Sequence, residues 1–364
     1  MLSIAALALL LQAPSPVAVT ATVAPATPWI EQDPSAPDSP QYLNFDLLVT
    51  GHPSAPRTLD RVSVQVFDAA GRLVHQRFCD GSGISPCNAT LPDRTVRAGG
   101  SAIVYNPFPA FPAGLQLAEL RYELVYDDSA GAAVDTARVT VRPARPRHPP
   151  ALLLPLTGRV LVFDGHDALS HHRRWNLAHP VIRAVGFTGN SGRYAYDLSL
   201  VDSLGRMFRG AGDHNNDWYS WEAPVRAPAA GVVVATANDQ PDWEVGRTSL
   251  PDSVIFARPS ALYGNFVIID HGDGSFSLLA HLRQGSVRVR PGDRLTAGQQ
   301  VGKVGYSGSV YTIHTHYQLQ SGPTYAAEGL PSYFTRIQRI GTSPSRHLDR
   351  SPSRIDSGDL VDAR

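Results

Sequence analysis

Alternation of apolar and polar positions with a period of two dominates the chain from Gln41 to Val141. The runs Tyr42 to Val49, Val62-Val64-Val66 before the Ala70-Gly71 turn, Tyr122 to Tyr126 and Val139 to Val141 each place apolar side chains on one face. No helical period competes. Short strands with turns at this spacing predict an immunoglobulin-like β-sandwich over residues 25–141. The segment holds no cluster of His, Asp or Glu, so an accessory or binding role is expected of it. Residues 142–150 (RPARPRHPP) contain almost no residue able to join a sheet and read as a stiff linker.

The pattern beyond the linker is also β-rich, over residues 151–341. Ala223 to Ala235 reads as strand, turn and strand. Asn265 to His271, Phe276 to Leu282 and Ser286 to Gly305 continue it, with Pro-Gly-Asp and Ala-Gly-Gln marking tight turns. After about Thr342 the chain becomes Ser, Arg and Asp with few apolar residues, and 342–364 reads as a polar tail. At the other end, Leu2 to Leu11 is an apolar run too short to cross a bilayer and suited to the core of a signal peptide over 1–24. It predicts export, to a periplasmic or extracellular location, with no integral membrane segment after processing. Cys79 and Cys87, the two cysteines, then face an oxidising compartment and are expected to bridge.

Composition narrows the function. Hydrophobic residues at 43% and charged residues at 18% fit a folded globular chain, and 31 Gly with 30 Pro favour strands and turns over long helices. Thirty-two basic residues balance thirty-two acidic ones, and Lys303 is the sole lysine. No basic stripe emerges, which argues against nucleic acid or an anionic surface as partner.

Chemistry concentrates in the second half, where nine of the thirteen histidines lie between His166 and His316. His314-Thr315-His316 is an H-x-H, and on a strand its two imidazoles project from one face about 7 Å apart. Alone it is a weak signal. His281 interrupts the apolar strand Leu278 to Leu282, where a polar ring must find a partner or a function. Asp197 lies among Tyr194, Ala195, Tyr196 and Leu198, where burial raises a carboxyl's pKa unless a metal or an arginine such as Arg193 or Arg206 offsets it.

Taken together and in order, these pieces resemble the lysostaphin-type or LytM-like zinc metallopeptidases, which cleave peptidoglycan. The resemblance runs from about His172 to Pro323. Asp197 occupies the family's aspartate strand and Ala223 to Val234 its hairpin. Gly264 to His271 resembles its "GN.V.I.H" strand, Leu279 to Leu282 its "YAHL", Val287 to Gly305 its "V.V..G..V..GQ.IG..G", and His314 to Leu319 its "HLHFE". The resemblance implies a mainly β peptidase domain of the duplicated hybrid-motif type. It implies one zinc ion held in part by Asp197 and His316, and makes His281 and His314 the catalytic imidazoles. The family's remaining ligand, a His four residues before the Asp, is here Arg193, which stays protonated and does not ligate. His172, in Ser170-His171-His172-Arg173-Arg174, aligns with an upstream "N-x-H" element of one subgroup and becomes the expected third ligand. His171, His179, His214 and the absence of a third ligand are its alternatives.

Three protein ligands leave a position for a water acidified toward neutral pH. With no H-E-x-x-H in the chain, imidazoles must carry the protons. The expected function is zinc-dependent endopeptidase action on peptidoglycan cross-links or stem peptides. The competing expectation is a metal-free regulatory module that activates other wall hydrolases, made possible by Arg193.

Overall fold

The computed structural model describes residues 18–80, 87, 91–146, 151–168, 170–247, 250–340 and 352–364. The chain is mainly β, as its period-two pattern predicts.

Two antiparallel sheets face each other in the N-terminal half. One has the order Thr20–Ala24, Asp46–Thr50, Ser101–Tyr105; the other runs Ala133–Val141, Glu119–Asp127, Arg57–Phe67, Leu73–Asp80. Val62, Val64 and Val66 turn inward from Arg57–Phe67, and Leu47 and Val49 meet them from the opposite sheet. This alternation is what drives a strand to bury one face and wet the other. Cys79 and Cys87 are bridged, as their spacing suggested.

The signal expectation for 1–24 falls partly on 1–17, outside the described residues. Its last five residues are instead the Thr20–Ala24 strand, paired in register with Asp46–Thr50. Threonine alternates there with alanine and valine as a strand requires, and Val19 is already buried, so the sandwich starts before residue 25. Of the linker, 147–150 lie outside the described residues, while Ala144 is pinned between Pro28 and Ile30 by two backbone hydrogen bonds.

The second half is built on a ten-stranded antiparallel sheet. Its middle runs Asn265–Asp270, Phe276–Leu282, Thr315–Gln320, Tyr196–Leu200, Gly158–Asp164. Tyr196, Leu198, Val267, Leu279, Tyr317 and Leu319 form much of the core beneath it. The strands within Ala223 to Ala235 do form, but they part. Pro224–Arg226 pairs with Gln300–Lys303, and Gly231–Ala237 joins the large sheet, because the chain between them bends at 228–230.

The polar C-terminal tail is corrected for its described part. Leu360–Ala363 lies inside the large sheet between Gly158–Asp164 and Ile337–Arg339. Ile355 and Val361 are buried, which is enough apolar surface to hold so short a segment against a waiting strand edge.

The two halves pack together. Leu48, Ile103 and Tyr105 on the outer face of the first sheet meet Leu177, Val185 and Phe187.

Candidate functional site

Asp197 and His316 are register partners in adjacent antiparallel strands, and Ala280 lies opposite His316 on the other side. The sheet thus brings the aspartate strand, the H-x-H and the His281 strand side by side. Asp197 Oδ1 is the focus. His314 Nε2 and His316 Nδ1 each lie 3.1 Å from it and His172 Nε2 lies 3.4 Å away. Of the alternatives to His172, His179 accepts a hydrogen bond from Val181 N at a helix start and His214 caps a short turn. His171 stacks on His172 at 3.9 Å and is half exposed.

Two of the converging rings are tethered through their other nitrogens, His314 Nδ1 2.9 Å from the Thr312 carbonyl and His316 Nε2 2.9 Å from Gln318 Oε1. His172 Nδ1 lies 2.9 Å from Asp164 Oδ2, an ion-pair contact without hydrogen-bond geometry. Gln318 is itself oriented, because its amide nitrogen donates to Gln320. When those outer nitrogens carry the ring protons, three nitrogen lone pairs point at one carboxylate oxygen. Such an arrangement repels itself unless a proton or a cation lies among the groups. The set of His172, Asp197 and His316 therefore fits a metal ion by its donor chemistry. Asp164, His171, His172 and Asp197 also offer ligand atoms all within 4.8 Å of one another.

Asp164 went unseen in the sequence. A bulge at Phe163 places Asp164 opposite Asp197, so two carboxylates face across neighbouring strands. Like charges so placed repel. His172 lies between them and reaches both, while Ser170 Oγ donates to Asp164 at 2.8 Å. The available signal was the apolar run Val160 to Phe163 ending abruptly in a carboxylate. Gln318 was legible in principle, since it lies two residues after His316 on the same strand face. Tyr311, whose hydroxyl donates to Asp197 Oδ2 at 3.1 Å, sits in a loop with no periodic signature.

His281 holds φ at +61°, unusual for a residue with a side chain, next to a break in strand register. Its Nδ1 lies 2.9 Å from the Ser307 carbonyl, and Nε2 makes no hydrogen bond among the described residues. Its ring is 4.9 Å from that of His314 and 5.7 Å from that of His316. The Ser307 carbonyl is placed by a close backbone crossing at Gly264 and Gly308, where an added Cβ at either would lie 2.4 Å from backbone atoms.

Electrostatics separate the groups. Burial works to raise the Asp197 carboxyl, but the facing His314 and His172 overcome it and hold it well below the usual range. Burial, reinforced by His314 and His316, pushes His281 well below an ordinary histidine. Burial also acts to lower His314, yet Asp197 outweighs it and raises the ring. A cleft opens beside the cluster, walled by Trp175, Phe187, Leu262 and Tyr263.

Arg193, at the position where the family resemblance expects a ligand, is wholly buried and turned elsewhere. It is clamped to Asp46 at 2.8 Å and Glu328 at 2.5 Å.

Residues 219–327 match Peptidase family M23. His281, His314 and His316 fall inside the match; Asp164, His172 and Asp197 precede it. The chain is 26% identical over 142 residues to the cell division protein DipM of Caulobacter vibrioides, covering 38% of this chain and 20% of that protein. It is 33% identical over 72 residues to the peptidoglycan DD-endopeptidase ShyA of Vibrio cholerae, covering 20% and 16%. The chain thus spans a fifth or less of the curated relatives it matches. Among solved structures it is similar to the catalytic domain of lysostaphin from Staphylococcus simulans, with 19% identity, a TM-score of 0.24, and coverage of 40% of this chain and 79% of that one.

Proposed function

We propose that the chain is an exported zinc-dependent endopeptidase, periplasmic or extracellular, that hydrolyses peptide bonds in peptidoglycan cross-links or stem peptides. The observation that carries this reading is the convergence of three imidazoles on Asp197 Oδ1. His172, Asp197 and His316 hold one zinc ion, in a domain matched to a peptidase family. The bound ion supplies Lewis acidity for the scissile carbonyl and for water.

The chain's own side chains do the rest. Asp164 and Gln318 fix the ring orientation of His172 and His316. His281, kept neutral by burial, offers Nε2 to take a proton. His314, beside Asp197, steadies the negative charge that develops on the carbonyl oxygen, and the proton taken up by His281 passes to the leaving amine. Trp175, Phe187, Leu262 and Tyr263 shield one side of the cleft from water, and extended peptide is held along it by backbone hydrogen bonds.

The test is release of new amino groups from purified sacculi of several wall types by zinc-loaded protein, with a generic protein substrate alongside. Release from sacculi is expected. An inert, fully loaded protein overturns the peptidoglycan assignment, and a protein that takes up no zinc overturns the metal assignment.

A further inference from the structure

The segment that carries His172 is held largely from the other domain. His172 opens a single three-residue turn, His172–Arg174, with no side-chain cap. Such a turn has no stability of its own. Its neighbour Arg173 is buried at 1% exposure and reaches into the sandwich domain. There Arg173 Nε donates to Asn44 Oδ1 at 2.8 Å and Nη2 to the Asn106 carbonyl at 3.2 Å. Tyr105, also of the sandwich, donates to the Arg174 carbonyl.

The second end of the segment is fixed from the same place. Asn44 Nδ2 donates to the Arg193 carbonyl at 3.0 Å, and Asp46 accepts from Arg193 Nη1 at 2.8 Å. Between the two ends, Asn190 Nδ2 donates to the His172 carbonyl at 2.9 Å. One asparagine amide therefore spans both limbs, accepting a hydrogen bond from Arg173 and donating one to the Arg193 backbone. A buried guanidinium that loses an acceptor cannot stay where it is without cost, and Arg173 is bonded directly to His172.

We propose that the N-terminal sandwich is a structural part of the metal centre and that Asn44 is a positioning residue for His172, acting through Arg173 and Arg193. This rests on the zinc reading given above. It also gives a physical account of Arg193: the side chain at the expected ligand position ties down, through Asp46, the segment that brings in a different histidine.

The experiment uses the full chain with Asn44→Ala, Asn44→Asp and Val64→Ala. Val64 lies in the sandwich core, away from the segment, and its truncation reports general loss of stability. Zinc affinity is read by chelator competition, melting by calorimetry, and exchange of the amides of residues 171–178 by mass spectrometry in metal-free protein. Asn44→Ala is expected to weaken zinc binding at least about tenfold and to speed exchange in that segment. Asn44→Asp, which keeps the acceptor for Arg173 but sets an oxygen against the Arg193 carbonyl in place of the amide donor, recovers only part of either. Val64→Ala lowers the melting temperature with zinc affinity unchanged. Unchanged affinity and exchange in Asn44→Ala, or equal losses in Val64→Ala, overturn the proposal. Wild-type protein that binds no zinc overturns the metal reading, while the exchange measurement still decides whether Asn44 holds the segment.

Discussion

Glu31 and His166 bury their side chains against each other, with Glu31 Oε2 3.1 Å from His166 Nδ1 across the junction of the two domains. Burial pushes the Glu31 carboxyl up to about 8 against the partial opposition of Arg354, and burial drives His166 well below its usual range. The pair is a neutral acid beside a neutral imidazole. The folded state keeps a Glu31 proton that the unfolded chain releases above about 4.5, so this stabilisation is full below that pH and lost as pH rises through about 8. His166 acts oppositely, with stability present above 6.5 and lost as pH falls below it. Within this pair only the Glu31 loss remains between pH 6.5 and 8, about 2 kcal/mol. Unfolding midpoints in denaturant should therefore fall more steeply over that interval in wild type than in Glu31→Gln, which mimics the protonated acid and keeps only the losses from raised groups such as His314. A parallel fall in both proteins would remove Glu31 as the cause.

His172→Ala should lower zinc content far more than His171→Ala, and His179→Ala or His214→Ala should leave it intact. Asp164→Asn should weaken zinc binding about 10- to 100-fold, because His172 loses the carboxylate that orients it. Metal per chain after purification without chelator measures all five. Full occupancy in His172→Ala would refute its place among the ligands.

His281→Ala and His314→Ala should keep zinc bound while turnover on sacculi falls by roughly 10²- to 10⁴-fold. The first removes the proton-accepting imidazole nitrogen and the second a ring 3.1 Å from Asp197. Wild-type rates in either variant would sink the proton-handling role. A wild type that binds no zinc and shows no turnover would favour the metal-free regulatory module.

The Cys79–Cys87 bridge closes a short loop at the end of the Leu73–Asp80 strand. Its removal by Cys79→Ser with Cys87→Ser should cost roughly 2 to 3 kcal/mol of stability. Zinc affinity should not change, since the bridge lies on the sheet that faces away from the domain junction. A fall in zinc affinity matching the loss of stability would contradict that separation.

Local chemistry was legible from the sequence because it depends on short spacings. Period-two alternation decides that Val62, Val64 and Val66 share a face, and it likewise sets His314 and His316 together. A polar ring inside Leu278 to Leu282 and a carboxylate among tyrosines were visible as buried groups in need of partners. What only the tertiary structure decided are the meetings between distant segments. A bulge at Phe163 brings Asp164 against Asp197, and no local pattern announces a bulge. The period-poor segment Pro352 to Arg364 becomes ordered because an unpaired strand edge at Gly158–Leu161 accepts it. Arg193 stands four residues before Asp197, yet Asp46, 147 residues away, determines which way it points. Spacing along the chain fixes the face of a strand, whereas burial of a charge is satisfied by whatever partner the packing of two domains delivers.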